Sequence, residues 1–383
     1  VVHLGRDEPM KWPDELEYPV FNIPIPIHIF IWSFAGFLPS TGTSQMGNCT
    51  VDYSSQQLEN QMPMSPDYDI SDADVVLFGL PNMLWGFPGS YTLPREKSAN
   101  QMWISTCEEP YKRDGLSKSD CRLMLDEPTI NMMDASSSYD MSTDIPTLFD
   151  TVYVEDLLKG SPDFSARPSD EIATLALSDC DSEWRNTWLE EIMAEINNTG
   201  NKVLSYGKCF HNTDEYPGEN PNDLNRLHGW MNRAGARRFK LVAENVLQPW
   251  YVTEKIWNAL AEGAVPVYLG APEVKQMMPE GSFLYADDFP NTQALVQRMV
   301  DFTPEDFAKA QAWRQKPTSE WGMWQDSWLR GRHTMMNRIC EFAAEKKMAG
   351  KEFKSGVTPA AHDLACCPAD PSCCMNGKTP SVL

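Results

Sequence analysis

Basic residues are scarce in this chain. Lys and Arg number 32 against 54 Asp and Glu, a formal net charge of −22 and a pI of about 4.6. Affinity for nucleic acid is dominated by phosphate contacts from cationic side chains, so a general nucleic-acid binder is excluded. The same charge argues against docking on an anionic membrane surface. Long apolar runs are also missing. The nearest candidate, Val20 to Leu38, is interrupted by Asn22, Pro24, Pro26 and His28, and it falls short of the roughly 18 uninterrupted apolar residues a membrane span requires. The first residue is Val1 rather than Met. The chain is therefore read as a mature form or a fragment, with any membrane anchor expected outside it. There is no G-x-G-x-x-G and no Walker loop, which argues against dehydrogenases and ATPases. The six histidines (His3, His28, His211, His228, His333, His362) are scattered and are read as packing or surface residues. No internal repeat is present.

What is there describes an ordinary folded protein. Hydrophobic residues make up 42% and charged residues 22% of 383 positions, which excludes a disordered chain. At about 150 residues per domain the length suggests two domains. Charge is unevenly spread between them. Residues 1–150 hold 8 basic and 22 acidic residues, whereas 151–383 hold 24 and 32. Between Arg226 and Lys255 the balance reverses. Arg226, Arg233, Arg237, Arg238, Lys240 and Lys255 face only Glu244 and Glu254. A solvated helix face explains such an island as readily as an anion site does.

Ten cysteines include a CC-x5-CC tail at Cys366, Cys367, Cys373 and Cys374. The even count and two sequons, at Asn48 and Asn197, fit an oxidising secretory setting. Disulfides are favoured over zinc, because the tail lacks C-x2-C spacing and only His362 is near.

Along the chain, residues 1–24 read as an extended polar arm. Buried strands are expected at His28–Trp32, Ala73–Gly79 and Met102–Ser105. Residues 111–130 read as a charged loop or insertion. A turn-rich stretch at 160–170 marks the domain boundary. Beyond it, strands at Ile172–Leu177, Val203–Gly207, Phe239–Ala243 and Ala264–Leu269 alternate with helices at 182–196 and 253–261. Trp184, Trp188, Ile192 and Ile196 are the expected apolar stripe of the first helix. Alternating strands and helices imply parallel sheets, hence two α/β Rossmann-like units facing a cleft. The expected division is 25–165, 166–345 and a Cys-rich tail at 346–383.

The window Phe239–Gly270 reads FKLVAENVLQPWYVTEKIWNALAEGAVPVYLG. Its first strand ends at Ala243, which places Glu244 and Asn245 at the carboxyl end, where open α/β sheets bind ligands. Tyr251, Thr253, Glu254 and Lys255 then open a helix, with Thr253 as its expected cap. A helix N-terminus favours phosphate, Lys255 adds positive charge, and Glu254 can accept from a ribose diol. That layout suits a nucleotide diphosphate. Taken alone, Thr-Glu-Lys is equally an ordinary capped helix with a surface ion pair.

This window resembles the donor motif of the α1,3-fucosyltransferases, glycosyltransferase family 10. The matching residues are Ala243-Glu244-Asn245-Val246, Tyr251-Val252-Thr253-Glu254-Lys255 and Gly263-Ala264-Val265-Pro266-Val267-Tyr268-Leu269-Gly270, followed by Ser282 to Phe289. Ile29–Trp32, Ala73–Phe78, Trp103–Pro110, Ser136–Tyr139, Ser178–Asn186 and Tyr206–Cys209 are similar to further family stretches in the same order. The resemblance runs from about residue 27 to 341. It departs from the family where Gly79 and Leu80 replace a tandem His, where Asp140 replaces Arg, where Asp179 replaces Asn, and where Asn337 replaces the first Cys of a C-x-x-C.

The resemblance implies a GT-B type fold, with the N-terminal unit for the acceptor and the C-terminal unit for GDP-β-L-fucose. It implies inverting transfer of fucose to O3 of a GlcNAc residue in a glycan. Glu108 is the implied general base, with Glu109 the lesser candidate. Arg185 and Lys255 would hold the leaving diphosphate, and Asn245, Tyr251 and Glu254 would place the nucleotide. The basic island, with Arg185, is where the diphosphate is expected. No metal is expected; Asp179-Cys180-Asp181 and Asp287-Asp288 are read as structural. The implied setting is the Golgi lumen, with a membrane anchor outside this sequence. The rival readings are a transferase using another nucleotide sugar and a catalytically silent glycan-binding or GDP-binding relative.

Overall fold

A computed structural model of the chain describes residues 23–33, 43–46, 48–53, 67–79, 93–107, 111–113, 116–118, 131–146, 157, 163–213, 237–317, 320–321 and 334–357. The N-terminal arm before residue 23, Glu108 and Glu109, Arg226 and Arg233, His3, His228, His333 and His362, and the tail cysteines lie outside the described residues.

The N-terminal unit contains β1 (Ile27–Ser33), β2 (Thr43–Met46), β3 (Cys49–Tyr53), β4 (Val75–Gly79), β5 (Glu96–Lys97), β6 (Met102–Cys107), β7 (Tyr111–Arg113), β8 (Leu116–Lys118), β9 (Ala135–Ser138) and β10 (Ile145–Pro146). Seven of these form one sheet in the order β10-β9-β6-β4-β1-β3-β2, parallel except for β2 against β3. Side chains alternate across it, as a pleated strand requires. Ile27, Ile29 and Ile31 of β1 join Val75, Leu77 and Ile104 on one face, while Phe30, Trp32, Val76, Phe78 and Trp103 form the core of the other.

The second unit contains β11 (Glu171–Leu175), α1 (Glu183–Asn198), β12 (Lys202–Ser205), β13 (Phe239–Ala243), α2 (Glu254–Ala261), β14 (Val265–Leu269), α3 (Val274–Met277), β15 (Leu284–Tyr285), α4 (Thr292–Val300) and α5 (Pro304–Gln311). Its sheet is wholly parallel, in the order β12-β11-β13-β14-β15. β13 and β14 are buried along their full length, as expected of strands covered on both faces. α1 and α4 cover one face and α2 the other, each over its own core. The alternating pattern in the sequence thus yields two Rossmann-like α/β units.

Two details differ from the sequence reading. The buried spine of α1 is Arg185, Leu189, Ile192 and Ile196, while Trp184 and Trp188 are only partly buried at its edge. Four-residue steps overshoot the 3.6-residue turn by about 40° each, so residues 184 and 196 diverge by about 120°. The second difference is α6 (Thr334–Met348). The sequence groups most of it with the second unit, yet Met336, Ile339, Cys340, Ala343 and Ala344 pack into the core of the first. A disulfide joins Cys340 to Cys49 of β3, and β16 (Gly356–Val357) pairs antiparallel with β5. Cys340, lacking its nearby partner, thus bonds across 291 residues of sequence.

Near the entry of β13, Lys240 is bonded to Glu262, both buried. Burial pushes the Glu262 carboxyl up to about 6, opposed by Lys240. Removing one partner leaves an uncompensated buried charge, at a cost of about 3–5 kcal/mol. Lys240→Met should lose about that much stability at pH 7. The loss should be smaller at pH 5, because a carboxyl with a raised folded pKa is protonated below it and destabilises as pH rises through it. Urea unfolding at the two pH values checks this, and Lys240→Met with Glu262→Leu should recover most of the loss.

Candidate active site

The strand order of the second sheet places its topological switch point between β11 and β13, where adjacent connections leave in opposite directions. Crevices at such points, beyond the carboxyl ends of the strands, are where open α/β sheets hold ligands. Residues 176–185 follow β11 and residues 244–255 follow β13. The two segments are tied together there. The Ser182 hydroxyl donates to the Asn245 carbonyl at 2.7 Å, and the Trp184 indole N–H donates to the same oxygen at 3.2 Å.

Glu244 is the centre of the arrangement. It is fully buried, and a buried carboxylate persists only where donors surround it. The Thr253 N–H donates to Oε1 at 2.9 Å, and the Thr253 hydroxyl lies 2.8 Å from Oε2. Lys255 Nζ reaches Oε2 at 3.3 Å and the Thr253 hydroxyl at 2.8 Å. The Tyr268 hydroxyl stands 3.5 Å from Oε1, and burial, followed by the Glu244 charge, pushes that phenol well above its ordinary value. Thr253 occupies the N-cap position of α2, but its hydroxyl serves Glu244 and caps no α2 N–H.

Arg185 lies in the first turn of α1 and is only 1% exposed. A cation there opposes the helix dipole, so the position needs another reason. Its guanidinium donates to the Asp179 carbonyl and lies 3.5 Å from the Asp179 carboxylate, while Nε is buried without a partner. Burial pulls Arg185 below its ordinary value, against the opposing influence of Asp179, Glu244 and Tyr251. The adjacent Cys180 is bonded to Cys209, which fixes the loop that carries Asp179. Asp179 and Asp181 therefore belong to this scaffold, and Asp288 pairs with Lys275 while Asp287 accepts from Tyr285.

Of the residues singled out by sequence, Arg185, Asn245, Glu254 and Lys255 converge around Glu244. Lys255 is half-buried and also pairs with Glu254 at 3.4 Å. Asn245 keeps its side-chain oxygen buried without a partner. Tyr251 lies a layer deeper, packed edge-on against Tyr139 at 5.0 Å. Glu108 lies outside the described residues; Cys107, immediately before it, ends β6 and pairs in register with Ser138. Asn197 is exposed at the end of α1, whereas the Asn48 amide donates to the Ile23 carbonyl at 2.6 Å.

The basic island does not form one anion-binding surface. Arg237 pairs with Glu171, Arg238 stacks on Phe164, and Lys240 is bonded to Glu262. These residues lie at or near the entry of β13, from about 13 Å (Lys240) to about 23 Å (Arg237) along the strand from Glu244 at about 3.3 Å per residue. Only Lys255, among the island's described residues, joins Arg185 at the switch point.

Glu244, Ser182 and Gly270 were not assigned roles from sequence. The signal for Glu244 is an acid directly ending a five-residue apolar strand, followed by Thr253 and Lys255 as donors. Gly270 is forced by space. A Cβ there would stand 2.4 Å from the Tyr268 hydroxyl and 2.9 Å from Glu244 Cγ.

Two α/β units with a buried acid–base cluster at a switch point define an α/β protein with a candidate ligand crevice, and the comparisons narrow the class. Residues 167–356 match glycosyltransferase family 10 (fucosyltransferase), C-terminal. That segment, which contains the whole second sheet and the Glu244 cluster, belongs to this family. Alpha-(1,3)-fucosyltransferase B of Drosophila melanogaster is 32% identical over 142 residues, 36% of this chain and 31% of that protein. GDP-fucose protein O-fucosyltransferase 3 of Xenopus laevis is 41% identical over 106 residues, 27% and 21% respectively. The chain thus spans less than a third of the length of these curated relatives. Among solved structures, an alpha1,3-fucosyltransferase with GDP-fucose is similar with a TM-score of 0.48 and 14% identity, over 85% of this chain and 90% of that one.

Tyr268 is itself fully buried, so it cannot swing away from an added methyl group. Gly270→Ala should cost about 1–3 kcal/mol by overpacking. The added methyl should also press on the neighbouring Glu244 side chain. Thermal unfolding of the variant checks the loss.

Proposed function

We propose that this chain is an inverting fucosyltransferase that takes fucose from GDP-β-L-fucose. The observation that carries the reading is the Glu244-centred cluster, which places Arg185 and Lys255 together at the switch point of a family 10 domain. The names of the curated relatives support the donor. The acceptor hydroxyl gives its proton to Glu108 as it attacks C1 of fucose, because a neutral hydroxyl is a poor nucleophile. The C1–O bond to the diphosphate breaks on the opposite face, and GDP leaves with the electron pair. A single displacement inverts the anomeric centre from β to α. Arg185 and Lys255 stabilise the charge on the departing diphosphate through charge-assisted hydrogen bonds. Asn245, Glu254 and Tyr251 place the nucleotide, Tyr251 by fixing the loop from beneath. The reaction requires no metal.

For the acceptor, we favour O3 of a GlcNAc residue in a glycan, the specificity implied by the sequence resemblance. A hydroxyl on a protein is the second reading, favoured by the 41% identity to a GDP-fucose protein O-fucosyltransferase. The disulfides Cys49–Cys340 and Cys180–Cys209 support an oxidising compartment such as the Golgi lumen. The proposed mode of attachment there is an anchor outside this sequence. No helix among the described residues is long and apolar enough to cross a membrane.

Incubation with GDP-fucose and two acceptor sets, GlcNAc-terminated glycans and hydroxyl-bearing folded protein domains, should give fucosylated product from one of them by mass spectrometry. GDP binding without any transfer would leave the silent-relative reading standing, and turnover of a different nucleotide sugar would replace the donor assignment. Glu108→Gln should abolish transfer while keeping GDP affinity; retained turnover would contradict the base. A chelator should leave the rate unchanged, whereas loss restored by manganese would contradict the metal-free mechanism.

A further inference from the structure

The two units meet at a contact that the mechanism above does not use. Tyr139 follows β9 at the carboxyl edge of the first sheet and is 1% exposed. Its hydroxyl donates to Gln248 Oε1 at 2.6 Å, and Gln248 is itself buried. Its ring packs edge-on against Tyr251, and together with Val246 the three residues form a small core of their own. The Gln248 carbonyl accepts from the Tyr251 N–H at 3.2 Å. The loop held in this way is the one running from Asn245 to Thr253. It is tightly constrained, because Trp250 adopts a left-handed φ of +64° with its N–H donating to Glu273 at 3.2 Å. Such a conformation in a bulky residue persists only where its surroundings impose it.

The donor-side groups Arg185, Asn245, Glu254 and Lys255 all belong to the second unit. The assigned base, Glu108, follows β6, and β6 pairs directly with β9. Tyr139 thus follows the strand next to β6, which leads in sequence to the assigned base, and is in direct contact with the donor loop of the second unit. We propose that Tyr139, through Gln248, is a positioning residue that sets the distance between the base-bearing edge and the donor loop, and so directs the fucosyl group to the acceptor rather than to water. This rests on the fucosyl-transfer reading above. Hydrolysis needs the donor site and a water: the C1–O bond to GDP breaks, a C1–O bond to water forms, and the proton goes to solvent. Transfer needs in addition an acceptor held in register by the first unit. A displacement of about 1 Å in such a geometry can cost on the order of a hundredfold in rate.

The test is the ratio of fucosyl transfer to GDP-fucose hydrolysis, measured on the full chain with its best acceptor. That ratio does not depend on how much enzyme is folded, so a purely structural defect leaves it in place. Tyr139→Phe removes the hydroxyl and keeps the ring, and Gln248→Leu removes the acceptor. Each should lower the ratio about tenfold or more, and the double variant should lower it no further than either single one, as coupled partners do. If one variant does not fold, the other carries the measurement. Wild-type transfer with a ratio unchanged within twofold in the variants overturns this inference alone. A wild-type chain that transfers to no acceptor removes the parent reading, and this inference with it.

Discussion

The buried carboxylate of Glu244 organises the second half of this protein. An ionised acid in a dry interior is tolerated only when donors converge on it. Its requirements explain the local structure around it. Thr253 turns its hydroxyl inward, Lys255 folds back along α2, Tyr268 lies below, and residue 270 must be glycine. The same negative charge helps to hold Arg185 buried at a helix N-terminus that would otherwise disfavour it. Arg185 and Lys255 share this crevice with Glu244, Glu254 and Asp179, so each cation already has a carboxylate beside it. A chain of net charge −22 thus still gathers two cationic side chains at one point.

Much of this was legible in the amino-acid order. The strand, loop, helix and strand of 239–270 are local features, each set by apolar runs and turn residues, and they formed where the pattern placed them. Arg185, Asn245, Glu254 and Lys255 came together because switch-point geometry follows from strand order. The reading of the basic island failed for a one-dimensional reason: nearness in sequence along a strand separates residues in space. Arg237 and Lys255 are eighteen positions apart, and a strand and a turn carry them to opposite ends of the sheet. The cap assigned to Thr253 failed because a tertiary partner, Glu244, outcompeted the helix for its hydroxyl.

Helix α6 shows a different limit. Its apolar spacing announces a buried face but cannot name the surface that covers it. Neither the link from Cys340 to Cys49 nor the contact of Tyr139 with Gln248 leaves a local mark, since both join residues more than a hundred positions apart. Tyr251 illustrates the ambiguity within a motif: the residue is placed next to the site by the sequence, yet in the structure it faces the junction of the two units.

The return of α6 and β16 to the first sheet has a consequence for biosynthesis. The N-terminal unit is discontinuous: its strands are made first, but the helix and strand that complete it lie at 334–348 and 356–357. The second unit, from Glu171 to Gln311, is continuous and can close as soon as it emerges. On the ribosome the later-encoded unit therefore finishes first, while the earlier one waits with the face that α6 will cover still open. A chain stopped before residue 334 would hold a complete second unit and an incomplete first one, and that uncovered face is where chaperones would be expected to bind.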